Sequence, residues 1–177
     1  MLAPLSWLKE YVEITLTPKE LGEKLTEVGL GVEKIIKTSD DVIFELEITP
    51  NRPDCLSILG IAREIAAIEN KKINYPKLKT SLEPSSHLEG GKLVPLKIIT
   101  DTKINPRFTG IIIDGVKVGE SPKWLKERLR KVNQRSINNI VDITNYVMLE
   151  LGNPIHAFDY DKIKDAEMTV WQTKGGE

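Results

Sequence analysis

The chain has almost none of the residues that form disulfides and most metal sites. Its 177 residues include one cysteine, Cys55, and two histidines, His87 and His156. A single cysteine excludes a disulfide within the chain, and two distant histidines without cysteine pairs do not have the spacing of a metal site. We therefore expect neither a disulfide nor a bound metal, and we expect Cys55 to be a small buried or loop residue.

Long apolar runs are also missing. No run approaches the roughly 20 residues that a membrane-spanning helix needs. The first ten residues, MLAPLSWLKE, have neither a basic leader nor an apolar core long enough for a secretion signal. A cytoplasmic protein without a membrane segment is therefore the default expectation. With 40% hydrophobic and 29% charged residues, the composition is that of an ordinary globular protein.

The N-terminal part contains the local signals of a small α+β domain. Helices are predicted at 5–12, 17–28 and 57–70, and strands at 32–37 and 42–48. The second helix begins with Thr17-Pro18-Lys19-Glu20, which combines an N-cap, a first-turn proline and a capping-box glutamate. The loop Asn51–Asp54 is predicted to be a stiff polar connector, in which Arg52 pairs with Asp54 or a nearby carboxylate. We assign residues 1–75 to this first domain.

Periodicity disappears over residues 76–92, which are rich in Pro, Ser and Gly and are predicted to be a linker. Beyond it, strands are predicted at 93–100 and 107–118 as a buried pair, a helix at 121–132, and a strand at 168–172. The sequence ends in a Gly175-Gly176 turn signal without a returning strand. We therefore expect residues 93–177 to be the first, incomplete portion of a second domain.

Positive charge is concentrated in one segment of a chain whose net charge is only −1. That net charge argues against a free-standing nucleic-acid-binding protein that relies on many phosphate contacts. Residues 117–135, however, contain seven basic residues against Glu120 and Glu127. A solvated helix face and a surface that contacts phosphates both remain open for this segment, and Lys123, Lys126 and Arg130 are its candidate contacts.

The stretch Ile137–Lys162 places polar residues in an apolar frame. Ile137, Val141, Met148 and Leu151 recur at helical spacing and predict one buried helix face, with Thr144 in the middle. A buried threonine can simply bond the carbonyl one turn back. Gly152 is placed to end the helix in a left-handed cap, and Asn153-Pro154 predicts a turn that leads to His156. Thr144, Asn145 and His156 could therefore converge to hold a polar ligand or orient a water, although His156 could equally be a turn residue bonded to backbone.

Three blocks of the sequence, in order, resemble the beginning of the β subunit of bacterial phenylalanyl-tRNA synthetase. They are SWLKEYV at 6–12, ITPNRPDCLSILGIAREIAA at 48–67, and INNIVDITNYVMLELGNPIHAFD at 137–159. Three blocks in the right order are far more specific than one short motif. The resemblance implies an α+β chain with a winged-helix-like N-terminal module over residues 1–75, followed by part of an α/β tRNA-editing domain over residues 93–177.

In that family the editing domain hydrolyses tRNA(Phe) that has been wrongly charged with tyrosine. A site that binds phenylalanine by apolar contacts rejects an added hydroxyl only weakly, so a second site is needed. The resemblance implies that Thr144, Asn145 and His156 line the editing pocket, and that they hold the ester and a hydrolytic water without a covalent nucleophile. It also makes tRNA the ligand of the weak candidates Lys123, Lys126 and Arg130.

Two departures from the family limit what the resemblance implies. An oligonucleotide-binding barrel usually lies between the positions that match Glu33 and Val42, and here only residues 34–41 join them. The family's acidic residue that recognises the tyrosine hydroxyl has no match in the chain, so neither a complete editing site nor an aminoacylation site is expected, and whether the chain alone is an enzyme stays uncertain.

The resemblance also implies cofactors and partners for the whole ligase. These are ATP and Mg²⁺ at a catalytic centre on the α subunit, tRNA(Phe), and an α2β2 heterotetramer. The alternative is a free-standing paralogue that binds tRNA or is purely structural, without catalysis.

Overall fold

The computed structural model describes residues 1–76 and 95–173, and these form two compact units. Within the described residues, the first unit is formed by residues 1–76 and 118–157, and the second by residues 95–117 and 158–173. Both contain helical turns and short sheets, so the predicted α+β class is confirmed. Across these ranges no helix is long and apolar enough to cross a membrane.

A three-stranded antiparallel sheet lies in the first unit, in the order β1-β3-β2. Its strands are β1 (Leu2–Pro4), β2 (Gly31–Lys37) and β3 (Val42–Glu47). The predicted turn between β2 and β3 is confirmed, since the Thr38 N–H donates to the carbonyl of Asp41 at 2.9 Å. This direct connection leaves no space for a barrel domain between the two strands. The sequence patterns do not predict β1, because three residues are too few to show alternation.

Three helices pack with this sheet: α1 (Leu5–Leu8), α2 (Pro18–Glu27) and α3 (Ile58–Glu69). The capping box of α2 is formed as predicted, because the Thr17 hydroxyl accepts from the Glu20 N–H while the Glu20 carboxylate bonds back to the Thr17 N–H. Aliphatic and aromatic side chains from all these elements fill the core, and its largest fully buried members include Trp7, Leu8, Leu21, Leu25, Phe44, Ile58, Ile61 and Ile65.

Two further helices belong to the same unit, although more than forty residues of the chain separate them from α3. They are α4 (Lys123–Lys131) and α5 (Asn139–Leu151). Val132, which follows α4, and Tyr146 and Leu149 of α5 pack against the core that α1, α3 and β3 form. The compact units therefore differ from the three-part division 1–75, 76–92 and 93–177. That division stays a prediction of how the chain is organised, and residues 77–92 of the predicted linker lie outside the described residues.

The second unit contains a two-stranded parallel sheet of β4 (Lys97–Thr100) and β5 (Glu167–Val170). The predicted strand at 107–118 is wrong. These residues form no strand, and Ile111 and Ile113 are 64% and 71% exposed. A strand needs a hydrogen-bonded neighbour, and β4 pairs with β5 instead of with the apolar run that follows it in sequence. Composition indicates β preference but does not name the partner.

Candidate functional site

Helix α5 and the turn after it contain the three residues predicted to act together. Thr144 and Asn145 are adjacent on α5 and are half-buried, whereas His156 is exposed, four residues beyond the helix cap. The predicted cap is confirmed, since Gly152 ends α5 in the left-handed region with φ 78° and its N–H donates to the Met148 carbonyl at 2.8 Å. No hydrogen bond joins any two of the three candidate residues within the described chain.

The hydroxyl of Thr144 is satisfied inside its own helix. Its Oγ1 donates to the Val141 carbonyl at 2.8 Å, as expected for a threonine within a helix. The oxygen keeps its lone pairs, so Thr144 can still accept a hydrogen bond from a ligand or a water. The side chains of Asn145 and His156 form no hydrogen bond with the described residues, so their side-chain donors and acceptors remain available.

The face of α5 that the apolar pattern predicts to be buried is not the one that packs against the core of the first unit. We call it the Thr144 face; it is formed by Val141, Thr144, Met148 and Leu151. The first three are half-buried and Leu151 is exposed, and Ile137 just before the helix is 66% exposed. Asp142 is the only fully buried residue of α5. The predicted orientation was wrong because the helix packs through polar side chains whose partners come from elsewhere in the chain.

Asp142 joins the N-terminal ends of α4 and α5. Its carboxylate accepts from the hydroxyls of Ser121 and Ser136, the latter at 2.5 Å, and from the Ile137 N–H at 2.8 Å. Burial works against the charged form, but these three donors hold the pKa of Asp142 below its ordinary value. The carboxylate therefore stays ionised at neutral pH and fixes the start of α5.

A cluster of aromatic rings around one guanidinium fixes the next part of α5. The Tyr146 ring stacks on Trp7 at a centroid distance of 5.2 Å, and the Arg128 guanidinium lies 5.0 Å from the Trp7 ring centre. Arg128 also pairs with Glu10. Rings and cation attract each other through the ring quadrupole, which adds to the area they bury. This aromatic cluster, formed by Trp7, Trp124, Arg128 and Tyr146, connects α1, α4 and α5.

Glu150 completes this connection one turn further along α5. Its carboxylate accepts from the hydroxyls of both Tyr11 and Tyr146, the latter at 2.5 Å. Burial first, and then the bond to Glu150, raises the pKa of Tyr146 to about 12, and the same causes raise the pKa of Tyr11. Both phenols are therefore protonated donors at neutral pH. Two successive turns of α5 are thus tied to the N-terminal part of the unit through Tyr146 and Glu150, while Asp142 ties the first turn to the residues before α4 and α5.

The basic residues of the 117–135 segment are mostly engaged in ion pairs. Lys123 lies 3.7 Å from Glu127, Lys126 lies 2.9 Å from Glu120, and Lys131 bonds Asp40 and Asp41 at 3.0 and 2.8 Å. Arg130 is exposed and forms no ion pair with a described residue. The predicted tRNA contacts Lys123, Lys126 and Arg130 stay a prediction, in which Arg130 is the one whose charge has no ion-pair partner among the described residues.

The predicted pairing of Arg52 within the loop 51–54 is confirmed. Arg52 bonds Asp54 at 2.8 Å and Glu64 at 2.7 Å, and its guanidinium also contacts the Cys55 sulfur at 3.1 Å. Asp54, Cys55 and Glu64 have the spacing of a three-ligand metal site. The guanidinium already provides the positive charge among them, and a thiol is a poor ligand for Mg²⁺, so these residues do not fit a magnesium site.

Sequence patterns missed the polar residues that hold α5 in place. Asp142, Tyr146 and Glu150 follow one another at i, i+4 and i+8, so they share one helix face. That polar periodicity was the signal in the sequence for the buried face of α5, and it lies opposite the apolar stripe. Their partners Tyr11 and Ser121 lie too far away in sequence for any local pattern to reveal them.

Comparisons with known proteins find relatives that match almost the whole chain. The chain is 40% identical over 173 residues to the phenylalanine–tRNA ligase β subunit of Rhodopirellula baltica, which covers 96% of the chain and 24% of that protein. It is 43% identical over 176 residues to the corresponding subunit of Fusobacterium nucleatum, covering 99% of the chain and 21% of that protein. For the subunit of Carboxydothermus hydrogenoformans the identity is 46% over 151 residues, covering 85% and 18%.

A family model for the B3/4 domain matches residues 104–177, a range that includes α4, α5 and His156. The chain spans about a quarter or less of the length of the curated relatives it matches. Within that span the similarity is continuous, since it includes the N-terminal sheet and helices as well as the B3/4 region. The chain therefore belongs to the family of phenylalanine–tRNA ligase β subunits and corresponds to their N-terminal part.

Proposed function

We propose that the chain acts as the N-terminal part of a phenylalanine–tRNA ligase β subunit and takes part in the synthesis of phenylalanyl-tRNA. Its own contribution is to hydrolytic editing of tRNA(Phe) charged with tyrosine, to tRNA binding and to assembly with the α subunit. The similarity to β subunits over 96% of the chain supports the role in phenylalanyl-tRNA synthesis.

One structural observation favours α5 as the wall of an editing pocket. The helix is anchored on the face of Asp142 and Tyr146, while no residue of its Thr144 face is among those that pack against the buried core of the first unit. A helix face that mixes hydroxyl and apolar groups suits a ligand that has both an aromatic ring and polar ends. Thr144 lies in the middle of that face, and His156 follows the turn at its end.

The chemistry of these residues suits ester hydrolysis by water. In the proposed reaction a water attacks the ester carbon that joins tyrosine to the terminal ribose, the bond from that carbon to the ribose oxygen breaks, and tyrosine and uncharged tRNA are released. His156 accepts the proton of the attacking water and passes it to the leaving ribose oxygen, while Thr144 and Asn145 hold the ester and the water in position. No serine or cysteine is needed as a nucleophile, and the buried Cys55 lies in the Arg52 cluster, away from α5 in sequence.

ATP and Mg²⁺ belong, in this proposal, to the aminoacylation centre of the assembled ligase. The described residues of this chain do not fit a magnesium site, because Arg52 occupies the cluster that most resembles one. The chain's proposed partners are the α subunit and tRNA(Phe), in an α2β2 heterotetramer.

Deacylation by the assembled ligase tests this proposal. The substitution His156→Ala should lower the rate of tyrosyl-tRNA(Phe) hydrolysis by roughly 10²-fold or more, the usual contribution of a general base. Thr144→Val, which keeps the shape but removes the hydroxyl, should also slow hydrolysis. Neither change should alter the charging of tRNA(Phe) with phenylalanine. His87→Ala, at the chain's other histidine, is the matched control and should leave editing unchanged.

Two results would contradict the proposal. Unchanged deacylation in His156→Ala would remove the editing role of this turn. Rapid deacylation by the isolated chain would show that the Thr144 face alone completes the pocket, contrary to our expectation that it provides only one wall. If the chain instead binds tRNA with strong salt dependence and no variant affects deacylation, the role of a tRNA-binding paralogue is favoured.

A further inference from the structure

The loop before α3 is held together by a single guanidinium. Nε and Nη2 of Arg52 bond both oxygens of the Asp54 carboxylate, at 3.1 and 2.8 Å, and Nη2 also reaches Glu64 on α3 at 2.7 Å. Such a fork on a carboxylate is directional as well as charged. Arg52 therefore fixes the loop against α3, and hydrogen bonds from Arg52 hold the pKa of Asp54 down at about 2.

Ser57 transmits this fixed geometry to the N-terminus of α3. Its hydroxyl accepts from the Gly60 N–H at 3.0 Å as the N-cap of the helix, and donates to the Asp54 carbonyl at 3.4 Å. The side chain is buried. One serine is therefore bonded both to the loop that Arg52 braces and to the first turn of α3.

The same serine lies beside the residue at which α5 ends. A Cβ placed on Gly152 would lie 3.3 Å from the Ser57 Cβ and 3.4 Å from its Oγ. A side chain at position 152 would therefore meet Ser57, and the glycine allows the end of α5 to lie next to the serine. Two segments that are 95 positions apart in sequence thus meet at the C-cap of α5.

Gly152 is the last residue before His156 that forms a hydrogen bond with the described parts of the chain. Residues 153–156 are exposed and form no hydrogen bond with the described parts of the chain. The direction in which a chain leaves a helix depends on the left-handed residue at its cap and on what that residue packs against. The direction in which the chain leaves α5 toward His156 therefore depends on where Ser57 lies beside Gly152.

We propose that Arg52 is a positioning residue for the turn that contains His156, acting through Ser57 and Gly152. The inference rests on the proposed editing role of that turn for its consequence in catalysis. Its structural part is independent of that role. In this proposal the loop 51–57 supports the site. Because Arg52 holds the loop in place, the loop fixes the geometry of the turn after α5.

Amide hydrogen exchange of the purified chain tests the structural part. In Arg52→Ala the Gly152 amide, which bonds Met148 at the end of α5, should exchange roughly tenfold faster. The Asp142 amide, which bonds Asn138 at 2.9 Å at the start of the same helix, should change less than about twofold. Arg63→Ala is the matched control, because Arg63 lies on α3 but faces Tyr75 at 5.7 Å and is not bonded to the loop.

A second variant guards against a general loss of folding. Glu64→Gln keeps the size of the side chain and weakens one of the bonds to Arg52, and it should change the Gly152 amide in the same direction by a smaller factor. Equal acceleration of both α5 amides, or no change at Gly152 in either variant, would overturn the inference.

Deacylation of tyrosyl-tRNA(Phe) by the assembled ligase tests the consequence. Arg52→Ala should lower kcat by roughly tenfold to a hundredfold, the effect of an ångström-scale misplacement of a reacting group, with KM for the charged tRNA changed less than about threefold. If His156→Ala abolishes deacylation while Arg52→Ala leaves kcat unchanged, the positioning role is refuted and the proposed function stands. If His156→Ala has no effect, the proposed function fails, whatever the exchange data show.

Discussion

Replacing Gly60 with alanine should destabilise the first unit, although helix propensity alone predicts the opposite. Gly60 lies in the first turn of α3, and an alanine inside a helix is ordinarily favoured over glycine by about 1 kcal/mol. A Cβ on Gly60, however, would lie 1.8 Å from the carbonyl oxygen of Asp54. That oxygen would have to withdraw to at least 3.0 Å, the distance below which real Cβ contacts essentially never occur.

The loop cannot retreat without losing bonds. Arg52 holds Asp54 to α3, and the Ser57 cap bonds both the Asp54 carbonyl and the Gly60 N–H. Overpacking of a fixed backbone costs about 1–3 kcal/mol, and loss of a serine cap adds about 1 kcal/mol. We therefore expect Gly60→Ala to lower the free energy of unfolding by about 1–3 kcal/mol, since the two costs together exceed the propensity gain of about 1 kcal/mol.

Gly22→Ala provides the matched control, because Gly22 is also a helix glycine in this unit. Its nearest neighbour would be the flexible tip of Ile35, at 3.1 Å, so this variant should be neutral or stabilised by up to about 1 kcal/mol. Urea unfolding followed by tryptophan fluorescence measures both. A Trp171→Phe background leaves Trp7 and Trp124, which both lie in the first unit, as reporters. Equal stability of the two variants would refute the steric argument.

Two further predictions follow from buried groups of the first unit. Asp142→Asn should lower the free energy of unfolding by about 2 kcal/mol at pH 7, because two serine hydroxyls and a backbone N–H lose a charged acceptor. The pKa of Asp142 is lowered in the folded chain, so the ionised carboxylate contributes its full share to the free energy of unfolding above about pH 4 and loses it as the pH falls below that value. If the free energies of unfolding of variant and parent differ by the same amount at pH 7 and at pH 3, this prediction is contradicted. Burial raises the pKa of the Cys55 thiol to about 12, so labelling by a thiol reagent at pH 8 should be roughly 10³-fold slower in the folded chain than in urea. Because the chain has one cysteine, the labelling signal comes from Cys55 alone. Similar labelling rates in the folded and the urea-unfolded chain would contradict the burial and raised pKa of this thiol.

Local sequence signals predicted the elements of the first unit well. The capping box at Thr17, the turn between β2 and β3, the N-terminus of α3 and the left-handed cap at Gly152 all depend on residues within one turn of each other. Such signals act through the nearest backbone donors and acceptors, so the sequence alone contains them. The three family blocks are equally local, since each is a continuous run of residues, and they are sufficient to indicate the family.

For the candidate site, the sequence indicated which residues to consider but not which way α5 faces. Thr144, Asn145 and His156 lie in one segment of the sequence, but periodicity assigned the Thr144 face of α5 to the core. The partners that reverse this orientation, Tyr11 and Ser121, lie 139 and 21 residues away from the carboxylates they bond. A polar residue can be buried only when its hydrogen-bond partners are present, and the tertiary structure decides which groups lie near enough to be partners.

Neighbouring residues and their order are enough to define the helices, their caps, the pairing of Arg52 within its loop and the family of this chain, so all of these could be predicted from the sequence. Three other features depend on the folded chain: which side of α5 faces the core, the absence of a strand at 107–118, and the position of Ser57 beside Gly152. Each of them depends on pairs of groups far apart in the chain, and the energy of such a pair exists only once folding has brought the two groups together.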